Sequence, residues 1–148
     1  MATVPSSRTS RAAILRDVIS AGNARRDGRL PLDVPGAREV FADDLDLLGA
    51  LQLRWQTRLA GRIERALMEQ PMDLEGAVVA AWHRTADELP SVLAIVDRHR
   101  AEPTSAEMAA SMRRSADKER ELLALAAGAS GAAIESRARA TYRPAHAA

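Results

Sequence analysis

The sequence predicts an all-α fold, an antiparallel helical bundle of four to five helices built on one long helix, roughly residues 37–69. Residues that favour strands are scarce, with one Phe, one Tyr and two Trp among 148 residues, whereas Ala, Leu, Arg and Glu favour helices. Apolar residues recur at spacings of three and four, the period of a helix face. Short turn segments separate these periodic stretches, which favours antiparallel neighbours.

The predicted organisation has three parts. Residues 1–36 form an N-terminal helix followed by a Gly/Pro loop, and the sequence leaves open whether this segment docks on the rest. Residues 37–142 form the helical bundle, and residues 143–148 are a frayed tail. The N-terminal helix is expected to end near Gly22, because glycine commonly follows the last turn. Candidate N-caps with side-chain oxygens precede it: Ser6, Ser7 and Thr9.

The long helix rests on an unbroken helical period between residues 37 and 69, with Pro71 as the first stop signal. A helix of that range is about 50 Å long at 1.5 Å per residue. Gly49 and Gly61 interrupt it, each at a cost of about 1 kcal/mol relative to alanine. They are either tolerated defects or points where a neighbouring helix approaches closely.

Three further helices follow the long one. Asp73 is the expected N-cap of the third helix, and Pro90 either kinks that helix or begins a new one. Thr104 with Glu107 matches a capping box and begins the fourth helix. A short last helix is expected over residues 130–142. The brief turns between these helices predict that neighbours in the chain pack against each other.

Composition excludes several classes of protein. The chain is 47% hydrophobic and 28% charged, which is typical of a globular protein. The absence of cysteine excludes disulfides, Cys-ligated zinc, iron–sulfur clusters and thiol nucleophiles. No apolar run approaches the roughly 20 residues that cross a membrane, and the start of the chain lacks a secretory h-region. We therefore expect a cytoplasmic protein without membrane contact, with an Arg- and Ser-rich transit peptide as the alternative.

Charge is unevenly distributed along the chain although the net charge is only +1. Residues 1–38 carry seven Arg against three Asp, whereas residues 39–75 carry eight acidic residues against four Arg. The overall charge therefore gives no field that steers a polyanion. The basic N-terminal segment is the candidate for nucleic-acid contact, as an arm that carries six arginines: Arg8, Arg11, Arg16, Arg25, Arg26 and Arg29.

Motifs for catalysis and metal binding are missing from the sequence. Neither His83 nor His99 belongs to a Glu-x-x-His pair of the kind that carboxylate metal bundles use, and no H-E-x-x-H, Walker or G-x-S-x-G motif occurs. Asp43, Asp44 and Asp46 fit a solvated helix start, where the dipole favours anions, better than a cation site. We predict no catalytic residue, no cofactor and no metal, and an enzyme would need a deep pocket lined by His99 and at least two carboxylates.

The stretch LRWQTRLAGRIER, residues 53–65, contains the candidate partner-binding residues. Arg54, Arg58, Arg62 and Arg65, here called the arginine row, are spaced by four, four and three and so share one side of a helix. Trp55 lies beside the first of them, and Trp with Arg is enriched in binding hot spots. Like charges at this spacing repel by a few tenths of a kcal/mol per pair. The row therefore predicts a source of compensating negative charge.

Three outcomes for the arginine row are compatible with the sequence: pairing within the chain, hydration, or docking of a partner. Within the row, only Arg65 has an acidic residue at i+4, Glu69. If the hairpin between the second and third helices turns near residue 71, Asp87 and Glu88 come opposite the start of the row and pair with it. The arginines can also remain hydrated, or they can form the docking surface for an anionic partner.

The sequence favours a non-catalytic helical interaction module, an accessory, adaptor or scaffold subunit. It would dock to a protein partner or self-associate through its long helix. The alternative is a small nucleic-acid-associated regulator that uses the basic N-terminal arm. A third class is an enzyme or ligand carrier with a pocket between helices.

Overall fold

The computed structural model describes residues 10–145 and contains seven helices and no strand in that range. The predicted all-α bundle is therefore confirmed. The helices are α1 (Arg11–Arg25), α2 (Ala37–Val40), α3 (Asp44–Glu69), α4 (Leu74–Glu88), α5 (Pro90–Ala101), α6 (Ala106–Ala127) and α7 (Gly131–Thr141).

Helix α1 differs from the prediction at both ends. Its N-cap is Ser10, whose hydroxyl accepts a backbone N–H of the first turn, and the predicted caps lie outside the described residues: Ser6, Ser7 and Thr9. The helix continues past Gly22 and ends at Arg25, followed by Arg26 in the left-handed conformation. Gly22 lies within the helix, and a Cβ there would be only 2.9 Å from the Ser91 hydroxyl oxygen. This glycine permits close packing and does not end the helix.

The long helix is shorter at its N-terminal end than the predicted range 37–69. Helix α2 ends at Val40, and α3 begins only at Asp44. Asp43 interrupts the helix because its backbone is extended and its carboxylate accepts the backbone N–H of Asp46 at 2.8 Å, a side-chain N-cap. The extended Phe41 places its ring in the core. Helix α3 then runs unbroken for 26 residues, about 39 Å, and includes the whole arginine row.

Helix α3 is central to the bundle and contacts α4, α5 and α6. Its buried face carries apolar side chains at helical spacing, which pack against α4 to form the hairpin that the short turn predicts. Helix α7 packs on α6 and α4, while α1 packs on α5 and α2. One hydrophobic core includes residues from all seven helices. The buried face of α3 comprises Leu47, Leu48, Leu51, Gln52, Trp55, Leu59, Ile63 and Ala66.

Pro90 begins a new helix, which is one of the two outcomes that the sequence allowed. It occupies the first turn of α5, where its missing N–H costs nothing. The cap position, Leu89, supplies no side-chain hydrogen bond. Instead the side-chain oxygen of Asn23 in α1 accepts the backbone N–H of Ser91 at 3.2 Å. This bond between helices joins α1 to the start of α5.

Candidate functional site

The arginine row lines an open groove between α3 and α4. The groove has a volume of about 560 Å³, and we call it the arginine groove. Arg84 of α4 completes it, a residue that the sequence reasoning did not single out. The sequence does indicate this position, because a hairpin that turns near residue 71 brings Arg84 opposite Arg58. Its lining residues are Arg54, Thr57, Arg58, Gly61, Arg62, Arg65 and Arg84.

Glu88 supplies part of the predicted compensation across the hairpin. Its two carboxylate oxygens face Arg58, at 3.4 Å, and Arg62, which donates a short hydrogen bond. The prediction is wrong for Asp87, whose carboxylate accepts from the Tyr142 hydroxyl at 2.9 Å. One carboxylate therefore serves two guanidinium groups.

The other three cations of the groove have no carboxylate partner among residues 10–145. They are Arg54, Arg65 and Arg84. Although Glu69 lies at i+4 from Arg65, the two side chains form no ion pair. The groove thus presents five guanidinium groups, and one carboxylate pairs with two of them.

Trp55 does not belong to this surface, contrary to the sequence prediction. It is only 4% exposed, and its indole N–H donates to Glu119 at 3.0 Å inside the bundle. Successive residues of a helix are turned by about 100°, so the neighbour of an outward Arg54 points into the core. A partner in the groove cannot reach this ring.

A buried polar cluster occupies the centre of the bundle. Glu119 of α6 is 2% exposed and accepts the indole N–H groups of Trp55 at 3.0 Å and Trp82 at 3.3 Å. Arg100 of α5 approaches the carboxylate at 3.7 Å. Burial raises the pKa of Glu119, and the nearby Arg100 opposes that rise. Sequence reasoning missed this glutamate, although it falls in helical register with the buried Met112.

A second ion-pair cluster joins α7 to α5 and α6. Glu135 accepts from Arg120 at 2.9 Å and from Arg139 at 3.3 Å, while Arg139 also donates two hydrogen bonds to Asp97. Burial alone raises the pKa of Glu135, but Arg120 and Arg139 together hold it below its ordinary value. These carboxylates are already paired, so the cluster stabilises the packing of three helices.

The predicted basic N-terminal arm is partly neutralised within the chain. Arg8 lies outside the described residues. Arg11 forms two hydrogen bonds with Asp46, at 2.8 and 3.2 Å, and Arg25 likewise pairs with Asp33 at 2.6 and 2.8 Å. The remaining members are exposed: Arg16, Arg26 and Arg29. The six arginines therefore do not act as one free basic surface.

His99 lies where the sequence places it, half-buried near the C-terminal end of α5. Its Nδ1 is 2.7 Å from the Ile95 carbonyl oxygen of its own helix. It also lines a surface depression with Asp44 and Glu102, but both carboxylates are exposed. The depression is open to solvent and is therefore not a deep pocket. Within residues 10–145, no three potential metal ligands lie close enough together to hold an ion.

Comparison with known proteins adds no relative from which a function could be carried over. None of the helices in residues 10–145 combines the length and hydropathy needed to cross a membrane. Protein-family models, curated proteins and solved structures give no match to this chain.

Proposed function

We propose that this protein is a non-catalytic interaction module that docks an acidic protein partner through the arginine groove. It would serve as an accessory, adaptor or scaffold subunit in the cytoplasm. The supporting observation is the charge imbalance of the groove, in which one carboxylate pairs with two of the five guanidinium groups and the other three have no carboxylate partner within residues 10–145. The acidic surface of a partner supplies the missing negative charge.

Arginine is suited to this role by its chemistry. The planar guanidinium group offers a fork of N–H donors that matches a carboxylate in two parallel hydrogen bonds. Neighbouring arginines on α3 repel one another, so carboxylates from a partner relieve an unfavourable interaction as well as forming new bonds. Because the groove is open, charges on its walls also accelerate encounter with an acidic surface.

Nucleic-acid binding through the N-terminal arm has no specific observation in its favour. Arg11 and Arg25, two of its six cations, already pair with Asp46 and Asp33. Aromatic side chains that stack on bases are also scarce, since both tryptophans are buried. Duplex DNA therefore belongs in the experiment as a competing ligand.

The test uses a fluorescein-labelled helical peptide with glutamates at every fourth position, followed by fluorescence anisotropy. We expect saturable binding that weakens as salt rises, because screening shortens the range of charge interactions to about 10 Å at 0.1 M. The same peptide with glutamine in place of glutamate should not bind. The double variant Arg54→Glu/Arg84→Glu should lose about tenfold or more in affinity. Neither arginine has an internal carboxylate partner, so the fold should be retained.

The matched control is Arg113→Glu/Arg114→Glu, the same double charge reversal at exposed positions of α6 outside the groove. It should change affinity far less than the groove variant. Equal losses in the two variants would show that only net charge matters and would refute the proposed groove. Tighter binding of duplex DNA than of the acidic peptide would favour the nucleic-acid alternative.

A further inference from the structure

The outward side of α3 carries a docking surface that extends beyond the arginine groove. A second groove of about 600 Å³ lies between α3 and α1, and we call it the apolar groove. It shares Arg54 and Thr57 with the arginine groove, so the two are continuous. The apolar side chains and the glycine that line it are Leu45, Gly49, Ala50 and Leu53 from α3, with Ala12 and Leu15 from α1.

The two grooves together form one stripe along α3, which changes from apolar to cationic about halfway along its length. From Leu45 to Arg65 the lining residues follow each other at alternating steps of one and three, which is a row at i+4 spacing that is inclined to the helix axis by about 26°. This distance is about 30 Å at 1.5 Å per residue. The half around Leu53 is apolar, and the half that follows is cationic. Leu53 is 66% exposed, so its side chain is available to a partner.

Charge is balanced in the apolar half of the stripe. The charged pair that lines it, Arg11 and Asp46, is joined by two hydrogen bonds. Arg54 marks the boundary between the halves. An occupant therefore meets apolar surface at one end and unpaired guanidinium groups at the other.

Two glycines lie along this stripe, one in each half. A Cβ built on Gly49 or Gly61 meets no atom within 4 Å. The close approach that these glycines suggested in the sequence therefore has no neighbour within residues 10–145. Glycine at an exposed helix position costs stability, but it lets the backbone of another helix come close.

We propose that the stripe holds a single amphipathic helix of about 20 residues from another protein. The apolar end of that helix packs on Leu53, and its acidic end bonds to the guanidinium groups of the arginine groove. This inference rests on the proposed function and deepens it by stating the chemistry and length of the partner. Along α3 the apolar half of the stripe is N-terminal to the cationic half. The apolar and acidic ends of the partner helix must lie along α3 in the same order.

A second copy of this chain fits the stripe poorly. A two-fold axis that makes the two α3 helices parallel places arginine groove against arginine groove. An axis that makes them antiparallel places the apolar half of each against the cationic half of the other. Because a symmetric dimer uses the same patch on both subunits, neither arrangement supplies carboxylates to the arginines. The stripe therefore favours a different partner over self-association.

Two labelled peptides of equal length and charge test the inference. The first has leucines on one face of one half and glutamates in the other half, and the second has alanine in place of leucine. We expect the first to bind about tenfold or more tightly than the second, the effect of burying one leucine side chain. Leu53→Ser should reduce the affinity for the leucine peptide to that for the alanine peptide. Leu125→Ser is the matched control, since Leu125 of α6 is 82% exposed and outside the stripe.

The outcomes separate this inference from the proposed function. Equal affinities for the two peptides overturn the amphipathic-helix partner but leave acidic docking intact, and binding of neither peptide overturns both. Gly49→Gln fills the floor of the apolar groove without a charge change and should weaken only the leucine peptide. Light scattering that shows a dimer abolished by Leu53→Ser overturns the inference in favour of a second copy.

Discussion

Replacing Glu119 with alanine is expected to lower the free energy of unfolding by about 3–5 kcal/mol, the range for removing one partner of a buried ion pair. The substitution leaves the indole N–H groups of Trp55 and Trp82 without an acceptor in the core. Each unpaired buried donor costs about 1–3 kcal/mol. It also removes the carboxylate closest to Arg100, whose Nε and Nη2 already have no hydrogen-bond partner. Urea unfolding followed by circular dichroism measures the loss.

Glu121→Ala is the matched control, since Glu121 lies on the same helix and is exposed. It should change the free energy of unfolding by less than about 0.5 kcal/mol. Glu119→Gln keeps the shape of the side chain, so it remains measurable if the alanine variant does not fold. Its amide oxygen can accept from one indole, but its NH₂ group then faces a second donor, and we expect an intermediate loss. A loss at Glu119 no larger than at Glu121 would contradict the role of this cluster.

The effect of Glu119 should also depend on pH in a defined direction. Burial raises the pKa of Glu119 in the folded state. Its contribution to stability is therefore fully present at a pH below the pKa that it has in the unfolded chain, and it is lost as the pH rises through the folded-state pKa. The stability of the wild type relative to Glu119→Gln should therefore increase as pH falls from 7. The pKa values of Asp46 and Glu135 are lowered, and both act in the opposite direction. The difference between wild type and Glu119→Gln isolates the contribution of Glu119.

Gly131→Ala should destabilise the protein by about 1–3 kcal/mol or more, because α6 and α7 touch through their backbones at this point. Gly131 is the first residue of α7, and an added Cβ would lie 1.9 Å from the carbonyl oxygen of Arg120. That oxygen belongs to the backbone, so the two helices must move apart. Separation also disturbs the hydrogen bond between Arg120 and Glu135. The midpoint of urea unfolding measures the change.

Gly61→Ala is the same chemical change at a position with open space. No atom lies within 4 Å of a Cβ built there, so alanine should stabilise α3 by about 1 kcal/mol through its higher helix propensity. The two variants should therefore shift the midpoint in opposite directions. A shift of both in the same direction would mean that the close contact at Gly131 is absent or easily relieved.

Short-range patterns in the sequence predict some residues of the candidate site and not others. The arginine row could be placed on one helix face because its members are only three or four residues apart. The hairpin turn also brought Glu88 to the row, although Asp87 turned out to bond elsewhere. The prediction is wrong for Trp55 because residues adjacent in the chain point to different sides of a helix, about 100° apart, so this ring is buried. The register of the hairpin also indicates Arg84, but a single cation on α4 carries no pattern of its own.

Most of the helices and several of their ends follow from short-range patterns in the sequence. Helical period, helix-favouring composition, Asp73 as the cap of α4 and Pro90 at the start of α5 are signals that act within one or two turns. The sequence does not reveal the break before Asp44 because Asp43 suits an N-cap as well as a position near the N-terminal end of a longer helix. Local signals specify a helix without specifying which neighbour it packs against.

Which polar groups meet inside the bundle depends on how the helices pack against one another. Glu119 bonds to Trp55 and Trp82, which lie 64 and 37 residues away along the chain. In the sequence Glu119 is in helical register with Met112, but a charged residue at such a position does not by itself indicate burial. Its burial is acceptable only because packing brings two N–H donors and Arg100 to its carboxylate. The physical reason is distance along the chain: periodicity reports neighbours a few residues apart, whereas contacts between distant residues depend on how the helices pack together.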